Sequence, residues 1–141
     1  MFSVLALGLL LACSGSPTVT PPAAPPTPQP TALAPLPELR AASGERWVMD
    51  EHTRASMRKL APLLRGTDQS GPAQADAIDA ELNVLVKGCT MTGPAHDQLH
   101  VFLGALFPRV DALRSGADAP ALAATRDELA TLASRYEAAF E

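Results

Sequence analysis

Between Asp50 and Glu141 the apolar residues of this chain recur at intervals of three and four in four successive blocks. That spacing confines the region to amphipathic helices, each of which must cover its apolar face with the others. From Trp47 onward no alternating run rich in Val, Ile or Thr offers a strand. In the first block Asp50 serves as N-cap, Thr53, Met57, Leu60 and Leu64 share one face, Pro62 bends or tightens the last turn, and Gly66 ends it. The second follows Gly71-Pro72 and carries Ala75, Ile78, Leu82, Leu85 and Cys89, which puts Cys89 on the buried stripe. The third opens with Pro94 at its first position and carries His96, Leu99, Leu103, Leu106, Val110 and Leu113, with a kink expected at Pro108 and space for its ring at Gly104. The fourth begins near Asp118-Ala119-Pro120 and carries Leu122, Thr125, Leu129, Leu132, Tyr136 and Ala139 or Phe140.

Four amphipathic helices joined by short loops predict an all-α, antiparallel up-down-up-down four-helix bundle over residues 46–141. That topology brings the start of the first helix, the turn between the second and third, and the end of the fourth to one end. Trp47, Met49, Met57, Cys89, Met91, His96, His100, Tyr136 and Phe140 all fall toward that end, and the opposite end has no His, Cys or Met.

The run Cys89-Thr90-Met91-Thr92-Gly93-Pro94-Ala95-His96-Asp97-Gln98-Leu99-His100 gathers a thiol, a thioether and two imidazoles around a Gly-Pro turn. His96 and His100 are four residues apart and so project from one helical face, as a pair of ligands requires. Their place near a helix N-terminus disfavours the imidazolium form, and neutral imidazole is the form that binds metal. Cys89, His96 and His100, with Met49, Met57 or Met91 as a further donor, are therefore the expected ligands of a soft metal ion. Thiolate with thioether favours copper(I), whereas thiolate with imidazoles alone also suits zinc. His52 lies well round the first helix from Met57 and reads as a surface residue, an outer candidate only.

The first thirty-seven residues contain no Asp, Glu, Lys or Arg, and residues 14 to 37 hold nine of the fourteen prolines. Residues 13–45 thus read as a linker with nothing to pack, of which residues 14–37 alone reach up to ~70 Å in polyproline II geometry. Before it, Val4 to Ala12 form an apolar run too short for a bilayer span, which reads as a secretory signal over residues 1–12. The run ends in Leu10-Leu11-Ala12-Cys13, which resembles the lipobox of bacterial lipoproteins, although no Lys or Arg precedes it. The resemblance implies cleavage before Cys13 and lipidation of its sulfur. Ser14 stands where Asp would direct inner-membrane retention, so the same resemblance implies a periplasm-facing outer-membrane lipoprotein.

The Cys-Thr-Met-Thr-Gly-Pro-Ala-His-Asp-Gln-Leu-His run, with a Trp-led segment upstream, is similar to a pattern in small exported helical bacterial proteins of uncharacterised function. It carries no activity with it. The net charge of −4 and the absence of a basic stripe argue against nucleic acid as a partner. A thiol enzyme using Cys89 with a histidine base and Asp97 would lack an oxyanion-hole motif, so a non-enzymatic protein is expected. A ligand-free structural or interaction bundle of the envelope is the competing expectation.

Overall fold

Three of the four helices of the computed structural model, which describes residues 33–39, 43–116 and 118–141, begin where a side chain caps the first turn. Helix α1 spans Glu51–Arg65, and the carboxylate of Asp50 accepts from Thr53 N–H at 2.6 Å. Helix α2 spans Gly71–Gly88 behind Ser70, whose side chain accepts from Ala73 N–H, with Pro72 in its first turn. Helix α3 spans Gly93–Arg114, and α4 spans Ala119–Ala139, where Asp118 accepts from Ala121 N–H. Thr92 gives α3 no side-chain cap. The turn into α3 depends instead on Gly93, whose φ of +73° lies in the left-handed region that glycine enters without a Cβ clash.

Buried residues follow the expected stripes, from Met57, Leu60 and Leu64 in α1 through Ile78, Leu82 and Leu85 in α2 to Leu103, Leu106, Val110 and Leu113 in α3. Leu129, Leu132 and Tyr136 complete the core from α4. Helices α1 and α2, α2 and α3, and α3 and α4 pack in sequence, and α4 closes on α1. Short loops between such neighbours give an antiparallel four-helix bundle. Pro62 and Pro108 both lie inside helices that continue across them. At Pro108 the missing N–H leaves the Gly104 carbonyl without its usual donor, and Gly104 is exposed, so that solvent can reach it.

The common end is joined covalently remote but physically close. Asp50 also accepts from Thr90, through both its N–H and its hydroxyl at 2.8 Å, which ties the start of α1 to the α2–α3 turn. Trp47 forms a parallel bridge with Phe140: Trp47 N–H donates to Ala139 O at 2.7 Å and Glu141 N–H to Trp47 O at 2.9 Å.

The expected linker is shorter than the sequence suggests. Residues 33–39, expected within that linker, lie on the bundle. Leu39 is 2% exposed, and its carbonyl accepts from the Trp47 indole. Arg135 donates to the carbonyls of Leu36 and Pro37, and Arg109 to that of Ala34 at 2.7 Å. Arg109 is itself buried, and the rest of its guanidinium is met by Glu128 and by Ala105 O. Proline-rich backbone cannot pair with itself, but its carbonyls remain strong acceptors, and two arginines supply the donors. Cys13 and the signal segment lie outside the described residues. Among the described residues no helix is long and apolar enough to cross a membrane.

Candidate metal centre

Helix α2 stops at Gly88 and Cys89 follows as its C-cap in extended geometry, φ −65° and ψ 124°. This departure from the helix takes Cys89 off the buried stripe. It is half-buried, and among the described residues its thiol has no disulfide partner. His96 is also half-buried rather than inside, because it stands in the first turn of α3, ahead of Leu99, the first fully buried residue on that helix. His100 is exposed.

The two imidazoles nevertheless converge. Their Nε2 atoms are 2.9 Å apart, with ring centroids at 4.5 Å and planes tilted by 57°. A contact of that length requires one nitrogen to donate and the other to accept, so at least one ring is neutral. In a tetrahedral site two nitrogens bound at 2.0–2.1 Å stand roughly 3.3 Å apart, a separation that a small ring rotation reaches from here. Cys89, His96 and His100 share one surface cavity of about 230 Å³, whose remaining walls are Leu85, Val86, Leu99 and Leu103. Apolar walls strengthen charge interactions within such a cavity by keeping the local dielectric low.

None of the three candidate methionines lines that cavity. Met49 is buried against α4, where its sulfur meets the Tyr136 hydroxyl. Met57 sits on the core face of α1 and borders a different cavity, with Tyr136 and Phe140. Met91 is buried in the core. Thioethers are apolar enough to be drawn into packing, and the core has taken all three. Among the described residues no three His, Cys, Asp or Glu side chains stand together at metal-holding spacing. The arrangement is a preassembled imidazole pair with a thiol on the same cavity.

Two residues outside that set fix its supports. His52, read from sequence as a surface residue, is half-buried, and its Nε2 lies 3.0 Å from Val84 O. A Cβ added at Gly88 would meet the His52 ring at 2.2 Å, so the imidazole occupies the space above Gly88 and locates the end of α2 that carries Cys89. The signal was a glycine closing α2 one residue before the thiol. Asp50 holds the other side of the turn through Thr90. Burial works to raise the Asp50 pKa, but the hydrogen bonds from Thr53 and Thr90 outweigh it and keep the carboxyl well below the usual carboxylate range.

The fold is an all-α four-helix bundle, and at the end where α2 turns into α3 the His96–His100 pair shares one cavity with Cys89. Compared with protein-family models, curated proteins and solved structures, the chain matches none.

Proposed function

We propose that this protein is a periplasm-facing lipoprotein, held to the outer membrane through Cys13, which binds one soft metal ion, copper(I) or zinc, between His96, His100 and Cys89. The observation that carries the reading is the convergence of two Nε2 atoms 2.9 Å apart on a cavity that a free thiol also borders. With the methionines in the core, the donors on that cavity are two imidazoles and a thiolate, a set that suits zinc as well as copper(I). No role in catalysis is assigned to these residues. Binding requires the thiol to lose its proton, so affinity falls as pH drops.

A thermal melt of the full chain tests the site. Copper(I) under reducing conditions, or zinc, raises the Tm of the wild type, by the equivalent of about 2.7 kcal/mol at a hundredfold excess over Kd. Cys89→Ala with His96→Ala abolishes the rise while the metal-free bundle stays folded. An unshifted wild-type melt with both ions, or an equal shift in the double variant, favours the structural bundle instead. The anchor is tested separately by Cys13→Ser and cell fractionation: membrane retention like that of the wild type argues against lipidation.

A further inference from the structure

We propose that zinc pairs two copies of this chain through the outward face of α3, taking His96 and His100 from each copy as its four ligands. The proposal rests on the metal reading of the imidazole pair and names the partner that completes it. From Gln98 to Pro108, eleven residues and about 16 Å of helix, α3 carries no Asp, Glu, Lys or Arg. No other helix runs more than seven residues without one. The residues of that stretch turned away from the core are His100, Val101, Gly104, Phe107 and Pro108, all exposed. Val101 is 41% and Phe107 44% exposed, and Val86 of α2, which lines the imidazole cavity, is 54% exposed. A helix that faces water keeps that face charged or polar, whereas one that is apolar all round is covered.

Gly104 sets how close the cover comes. A Cβ there would meet nothing within 4 Å, so the backbone lies open between His100 and Phe107. A second helix therefore approaches to the short end of the roughly 8–10 Å packing range.

The donor count says what the cover is. Zinc sites closed by protein are four-coordinate and tetrahedral. One chain brings two imidazoles and the Cys89 thiol to the cavity, and among the described residues no three His, Cys, Asp or Glu stand at metal-holding spacing. A two-fold axis beside His100 presents an identical imidazole pair to the same ion, and self-complementary pairing of this kind is how two like chains close an interface. Each pair already holds its Nε2 atoms 2.9 Å apart, near the separation that a tetrahedral site requires. In the paired form the second copy's imidazoles replace Cys89 and fill the open fourth position. The uncharged stretch suits a like partner, because two chains of net charge −4 meet there with no ionised group to desolvate. An acidic or basic partner would find no opposite charge on it.

Sedimentation velocity with a parallel zinc assay, on the full chain carrying Cys13→Ser so that no lipid drives association, tests the assignment. Zinc converts the monomer to a dimer holding one ion per two chains, and a chelator reverses it. His100→Ala abolishes the dimer. Phe107→Lys raises the dimer dissociation constant at least tenfold, and Val48→Lys, an exposed apolar residue away from α3, leaves it unchanged. One zinc per chain on a monomer, or copper(I) uptake without pairing by zinc, overturns this proposal and leaves the metal reading standing. Uptake of neither ion removes both. Pairing of Phe107→Lys as tight as that of the wild type also overturns it. So does Phe107-dependent binding to phosphatidylethanolamine–phosphatidylglycerol vesicles without a zinc dimer, which assigns the face to lipid.

Discussion

Gly88 and His52 show how a single missing methyl group can position a functional end. A Cβ at Gly88 would lie 2.2 Å from the His52 Nε2, the atom that also lies 3.0 Å from Val84 O. Gly88→Ala must therefore expel the ring and break that contact, and overpacking of this kind costs about 1–3 kcal/mol. Urea unfolding of Gly88→Ala, His52→Ala and the pair checks it: the double variant is less destabilised than the sum, because removing the imidazole relieves the clash. Tyr136 gives a second expectation at this scale. Burial raises its pKa far above the usual phenol range, against the opposing pull of Arg54, Arg46 and Arg58. The folded state therefore favours the neutral phenol, and the associated stability is complete below the unfolded pKa of about 10 and lost as pH climbs above it. Phenolate absorbance followed with circular dichroism in an alkaline titration should rise together with unfolding, not before it.

At the level of elements, α1 is held at its N-terminus by one carboxylate that serves two neighbours. Asp50 caps Thr53 and receives Thr90 from the turn that leads to His96. Asp50→Ala should cost about 0.5–2 kcal/mol for the cap alone, with the Thr90 contacts added to it. Because its folded pKa is depressed, the stability it provides is present above the unfolded value of about 4 and drains away as pH falls below that. Denaturant melts from pH 6 downward should accordingly show a shallower acid loss in Asp50→Ala than in the wild type. The helices themselves were legible in the sequence, since period and caps are local: Asp50, Gly66 and Asp118 end elements where their chemistry says they should. What escaped was anything set by a neighbour in space. Cys89 kept the stripe's spacing yet left the helix, the methionines were claimed by the core, and Arg109 was buried by a segment seventy-five positions away. The imidazole pair was legible because its geometry depends on a single helix.

At the largest scale, the described residues form a bundle with a strap. Residues 33–39 add Leu39 to the core and give Arg109 and Arg135 carbonyls to bind. A chain beginning at residue 42 should remain helical by circular dichroism but be less stable than one beginning at residue 33, by about 1.5–3 kcal/mol from Leu39 burial alone; equal urea midpoints would count against a structural strap. The strap also has a mechanical meaning. A pull applied at residue 33 would meet Arg109 at Ala34 first, Arg135 at Leu36 and Pro37 next, and Trp47 at Leu39 last. The flanks of α3 and α4 would take such a load as a strain relief does on a cable, and the Asp50–Thr90 joint would feel it only after those bonds had parted.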